Sequence, residues 1–186
     1  MKMFETERFA DECRSALRES DPQAAVHELV TRAVSAPGEV VTALGEPQRA
    51  GVTRIYEADD LTILNLCWGP NMYLGPHDHR LWAVIGIYGG QEENTFYRRS
   101  DDGLTTHGTK ELRVKETVPL GENIIHSVTN PLNQITGAIH VYGGNFFTKP
   151  RSEWTEDFEE RPYSVEGTMR AFEESNAMLE QNAGQA

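Results

Sequence analysis

The chain has 186 residues, 38% hydrophobic and 25% charged, with a formal net charge of −12. That length suits one domain around one buried core, and no stretch approaches the roughly 20 apolar residues needed to span a bilayer. The acidic balance argues against nucleic acid as a partner, because affinity for phosphate backbones rests on clustered Lys and Arg.

The first residues, MKMFETERFADECRSALRES, mix acids and bases and lack the apolar run of a secretory signal, so a cytoplasmic protein with no membrane partner is expected. From about Phe4 to Ser35 the apolar positions Phe9, Cys13, Ala16 and Leu17, then Val26, Leu29, Val30 and Ala33, recur at helical spacing. Asp21-Pro22 divides this stretch into two helices, with Asp21 as N-cap and Pro22 at the first helical position, where its missing N–H costs nothing. Cys13 and Cys67 form no CxxC pair and read as reduced, buried thiols.

From Gly51 short apolar runs alternate with Gly, Pro, Asn and Asp, the texture of many strands joined by tight turns. The predicted strands are Val52–Ala58, Leu61–Trp68, Trp82–Tyr88, Glu93–Arg99, Leu112–Val118, Ile124–Thr129 and Ile135–Tyr142. The continuous apolar run Leu61 to Leu66 calls for burial in a barrel or sandwich. After Pro150 comes the charged stretch RSEWTEDFEERP, then a helix from about Val165 to Leu179, read as peripheral, with a frayed Gln/Gly/Ala end. The organisation expected is one domain, 1–186: a mainly helical 1–50, a β core over 51–150 and a helical extension over 151–186.

Among the six histidines, His77 and His79 flank Asp78, and alternate residues of an extended segment point to one face, so both imidazoles can reach one ion. Downstream, Pro119-Leu120-Gly121 leads into a run carrying His126 and then Asn130. Together the two blocks resemble the paired motifs of the cupins. That resemblance implies a double-stranded β-helix, or jelly-roll, barrel that folds His126 back beside His77 and His79 as a third metal ligand. The glutamate usual in the first motif would fall at Ala83 or Val84, neither of which can bind metal. Three neutral imidazoles would leave an ion its full double charge and open coordination positions. Glu92 and Glu93 follow Gly89-Gly90 and read as solvated turn acids, with a displaced ligand as the other option.

Further blocks sharpen the likeness. Leu66-Cys67-Trp68-Gly69 before His77-Asp78-His79, and His140-Val141-Tyr142 after His126, resemble the thiol dioxygenases, the cupin branch of cysteine dioxygenase and 3-mercaptopropionate dioxygenase. The resemblance implies iron(II) on His77, His79 and His126, and a small anionic thiol and O2 as partners. Both oxygen atoms would end on sulfur as a sulfinic acid. It also implies that Tyr142 acts at the reaction centre with His140 orienting its hydroxyl. Arg54, in Thr53-Arg54, would hold the substrate anion, with Arg80, Arg151 or Arg161 as alternatives. Two departures stand out: no cysteine lies near position 83 or 84 to cross-link to the tyrosine, and Ala138 replaces the serine before His-x-Tyr. The bulky Arg80-Leu81-Trp82 after the ligand pair makes cysteine itself a poor candidate substrate. The other functions this pattern allows are a different cupin metalloenzyme, oxygenase or hydrolase, and a cupin that binds a metal or small molecule without catalysis. His27, in a helical segment, and His107, after Asp-Asp-Gly-Leu-Thr-Thr, read as solvent-facing.

Overall fold

A computed structural model describes residues 3–101 and 103–183; the expected frayed end beyond 183 lies outside them. The N-terminal region holds three helices rather than two: α1 (Thr6–Ala16), α2 (Pro22–Val34) and α3 (Pro37–Leu44). Asp21 caps α2 as its sequence demands, its Oδ1 accepting from the Ala24 amide at 3.0 Å. The third helix escapes the sequence reading because Ala36, its N-cap, offers no side-chain acceptor. Only Pro37 at its start and Gly45 at its end, with φ +86°, mark it.

Eleven strands follow among the described residues: β1 (Gly51–Glu57), β2 (Thr62–Trp68), β3 (Tyr73–Asp78), β4 (Ala83–Gly89), β5 (Gln91–Ser100), β6 (Gly103–Arg113), β7 (Thr117–Leu120), β8 (Ile125–Thr129), β9 (Thr136–Tyr142), β10 (Ser152–Trp154) and β11 (Glu160–Pro162), with α4 (Val165–Ala183) last. They form two antiparallel sheets, ordered β1-β2-β9-β4-β7 and β11-β10-β3-β8-β5-β6. From β2 to β9 the chain passes repeatedly between the sheets, which is the wrapping of a jelly roll. The protein is a double-stranded β-helix, or jelly-roll, barrel with helical appendages.

The central strands of the first sheet, β2, β4 and β9, are dry on both faces. Leu64, Leu66, Trp68, Ile85, Ile87 and Tyr142 fill the barrel, while Ile63, Val84, Tyr88, Ile139 and Val141 pack beneath Val26, Val30 and Val34 of α2. This double burial is why β2, β4 and β9 read as unbroken apolar runs rather than as alternation. At Gly86 the helix approaches so closely that a Cβ would lie 2.5 Å from Val30 Cγ1 and 2.9 Å from Val34 Cγ1.

The second sheet behaves differently at its edge. β5 and β6 pair as a long hairpin in which β6 buries only Leu104 and Leu112 and β5 only Glu92 and Asn94. A ribbon with so little apolar patterning gives no period to read, which is why the expected strand Leu112–Val118 catches only the end of β6 and spans the turn at Lys115, where φ is +75°. Helix α4 is less peripheral than expected. Its Phe172 stacks on Trp68 with centroids 5.6 Å apart, and Asn176 bonds both the amide and the carbonyl of Ala50, closing that end of the barrel.

Candidate metal centre

His77 lies on β3 and His126 on β8, and the two strands pair so that these residues stand directly opposite each other. Opposed residues of an antiparallel pair project to the same face, here the barrel interior. His79 stands one residue past the end of β3 and turns inward as well; the three are 4%, 4% and 1% exposed. Asp78, between them, points the other way, accepting from the Ser152 amide at 2.8 Å and from Arg80.

The three imidazoles present converging nitrogens, all within 4.8 Å of one another. His79 Nε2 is 3.2 Å from His77 Nε2 and 3.3 Å from His126 Nε2. Nitrogens bound to one ion at about 2.0–2.1 Å stand about 2.9–3.4 Å apart. The donor set therefore fits a divalent metal. Its protonation fits too. Burial pushes His77 down to about 4, and burial followed by the neighbouring imidazoles pushes His79 and His126 well below the usual histidine range. His77 Nδ1 lies 2.9 Å from the Gly75 carbonyl and His126 Nδ1 2.7 Å from Asn94 Oδ1. With Nδ1–H donating in each, Nε2 is left with its lone pair.

Among the described residues no carboxylate joins the cluster. Ala83 and Val84, where the resemblance implies a glutamate, face the barrel and the helices respectively. Asn130 does not approach the histidines; its amide clamps the Trp68, Gly69 and Gln134 carbonyls and so ties the strand after His126 to the end of β2.

From the opposite sheet, β9 turns His140 and Tyr142 into the barrel. His140 Nδ1 and the Tyr142 hydroxyl are 3.1 Å apart, and the Tyr142 ring meets the His79 ring edge-on at 5.0 Å. Burial raises the Tyr142 hydroxyl above the ordinary phenol range, keeping it protonated.

Arg54 does not join them. It projects from the edge strand β1 with 63% of its side chain exposed, paired to Glu57 at 2.6 Å and lying over Phe147. At the open rim a guanidinium gains Glu57 and keeps its water, so nothing draws it inward. The arginine beside the histidines is Arg151, half-buried between the rings of Phe146 and Tyr163 at 4.0 and 4.1 Å. Those rings are in turn 6.0 Å from His79 and 5.9 Å from His77. Arg80 pairs with Asp78 and Arg161 with Glu153.

Glu92 corrects the reading of a solvated turn acid. It is fully buried on β5 inside the barrel, accepting from Trp68 Nε1 at 2.8 Å and Asn94 Nδ2 at 2.9 Å. Glu93, beside it, is half-buried. His107 is exposed on β6. His27 is half-buried rather than solvent-facing, its Nε2 2.7 Å from the Thr117 hydroxyl.

No protein-family model matches the chain. Among solved structures, BH2720 from Bacillus halodurans is 17% identical, covering 52% of this chain and 72% of its own, with a TM-score of 0.46. An oxalate oxidase in complex with glycolate is 15% identical over 54% of this chain and 53% of its own, at 0.43. The Lactobacillus farciminis oxalate decarboxylase formate complex is 15% identical over 54% and 30%, at 0.42. Each likeness is confined to about half of this chain. No helix among the described residues is long and apolar enough to cross a membrane.

Proposed function

We propose that the protein is an iron(II)-dependent dioxygenase that converts a small anionic thiol to its sulfinic acid. The observation that carries this reading is a neutral three-histidine cluster with no carboxylate, facing Tyr142 and Arg151. Iron held there would supply a Lewis-acidic, redox-active centre that lowers a thiol pKa and brings thiolate and O2 together. A thiolate and one O2 contain all the atoms of the sulfinate, so no external reductant is required.

The remaining work falls to side chains. Arg151 has a buried Nε without a hydrogen-bond partner among the described residues, and an unpaired guanidinium donor beside the cluster suits a carboxylate. Phe146 and Tyr163 cover its faces and exclude water, strengthening that ion pair. Tyr142, its ring beside His79 and its hydroxyl held by His140, would orient the substrate by accepting a hydrogen bond.

Oxygen uptake by iron-loaded protein is the test, using 3-mercaptopropionate, cysteine, cysteamine and related thiols, with the sulfinate identified by mass spectrometry. One thiol should give uptake and sulfinate in equal amounts; no uptake with any of them rejects the reading. A second reading, a cupin metalloenzyme acting on a small carboxylate without sulfur, is favoured by Arg151 itself, which recognises an anion and not a thiol. Turnover of a non-thiol carboxylate in the same screen would decide for it.

A further inference from the structure

Ala138 removes the serine hydroxyl expected beside His140, and the structure supplies a different partner. His140 Nε2 is buried and, among the described residues, has no hydrogen-bond partner of ordinary length; it faces Glu92 Oε2 at 3.5 Å. Glu92 is itself an oddity, a carboxylate with 0% exposure and, among the described residues, no Lys or Arg within salt-bridge distance. A buried charge persists only if it is saturated with donors. Burial pushes the Glu92 carboxyl up, but the neighbouring His140, Asn94 and Trp68 outweigh it and leave the group below the usual carboxylate range.

An ionised carboxylate only accepts hydrogen bonds. Asn94 must therefore give its NH2 to Glu92 Oε1 and keep its carbonyl oxygen for His126 Nδ1, 2.7 Å away. That orientation holds the His126 proton on Nδ1 and leaves Nε2 bare toward the other two histidines. On the second branch, Glu92 Oε2 draws the His140 proton to Nε2, so that Nδ1 accepts from the Tyr142 hydroxyl at 3.1 Å. We infer that Glu92 is a positioning residue that sets the ring protons of two histidines at once, of His126 through Asn94 and of His140 directly. Its effect on metal affinity rests on the three-histidine reading above; its effect on the ring protons does not.

Glu92→Gln isolates the His126 branch. The carbonyl of the introduced amide keeps the Trp68 and His140 donors, so its NH2 faces Asn94, which flips and presents its own NH2 to His126. The His126 proton then moves to Nε2, where it blocks the metal. Glu92→Gln with Asn94→Asp restores the direction, because the introduced carboxylate accepts both from the neighbouring amide and from His126.

The test uses metal-free full-length protein labelled with 15N-histidine, whose nitrogen shifts report each ring tautomer, together with calorimetric titration of zinc. Wild type should show Nδ1–H on His126 and Nε2–H on His140. Glu92→Gln should invert the His126 tautomer alone and weaken zinc binding roughly 10–100-fold, and the double variant should recover most of that affinity. An unchanged His126 tautomer and affinity in Glu92→Gln overturns the inference, as does a double variant no better than the single one. Should Glu92→Gln fail to fold by circular dichroism, the wild-type tautomers decide: Nδ1–H on His126 with Nε2–H on His140 supports the assignment, and either opposite tautomer overturns it. If wild type binds no zinc, the metal centre fails while the tautomers still judge Glu92.

Discussion

Strands β2, β9 and β4 of the first sheet are buried twice over, by the barrel interior on one face and by the N-terminal helices on the other, whereas β5 and β6 of the second sheet leave one side largely in water. The ligand histidines all come from β3, β8 and the residue just past β3, on that second sheet. Tyr142, which meets His79 from across the barrel, and His140, which is 3.1 Å from the Tyr142 hydroxyl, come from the doubly buried strand β9. Under the proposed function the second sheet would hold the ion and, through Glu92 and Asn94, the His126 proton, while the doubly buried strands would supply the Tyr142 hydroxyl and His140. Substitutions on the two walls should accordingly fail in different ways.

The largest effect belongs to the ligand wall. His77→Ala, His79→Ala and His126→Ala should each abolish stoichiometric metal by elemental analysis, while the exposed His107→Ala keeps it; full metal in His126→Ala would break the comparison at its base. Next comes the loop that covers the site. Arg151→Ala should weaken binding of an anionic thiol by roughly 10–100-fold, the scale of a lost charged hydrogen bond, whereas Arg54→Ala leaves the measured Kd unchanged. A substrate insensitive to Arg151 and sensitive to Arg54 would return the anion site to the rim.

On the doubly buried wall, Gly86→Ala drives a methyl into Val30 and Val34 of α2 and should cost about 1–3 kcal/mol in a urea melt, with metal content unchanged. The smallest effect expected is that of Tyr142→Phe, which keeps the metal and slows turnover by up to about tenfold, the value of one neutral hydrogen bond. Metal loss in that variant would show that the two walls are not separable.

What the sequence made legible follows the same division. The cluster was legible in part: a His-x-His pair on an extended segment turns two imidazoles one way, and the resemblance of the block after Pro119-Leu120-Gly121 to a cupin motif picked out His126, the third histidine that the structure brings beside them. The apolar runs of β2, β4 and β9 announce a buried sheet for an equally local reason. Glu92 was hidden because Gly89, Gly90 and Glu93 surround it with the composition of a turn. Its inward direction is set by the pairing of Glu93 with Thr129 and of Asn94 with Val128, which no local signal encodes. Arg151, one of the alternatives to Arg54, gains its place from Phe146 and Tyr163, which close on it from either side in sequence and which no local signal around it encodes. Arg54 failed for the converse reason, its Thr-Arg context being local while its neighbours, Glu57 and Phe147, hold it at the rim.

The central claim is that three neutral imidazoles make one metal site without a carboxylate. Titrating metal-free protein with cobalt(II) and following its visible absorption tests that most directly. One equivalent per chain should saturate the signal, and His126→Ala should show no saturable change; a wild-type protein without a saturable endpoint, or a variant that titrates like it, would contradict the account.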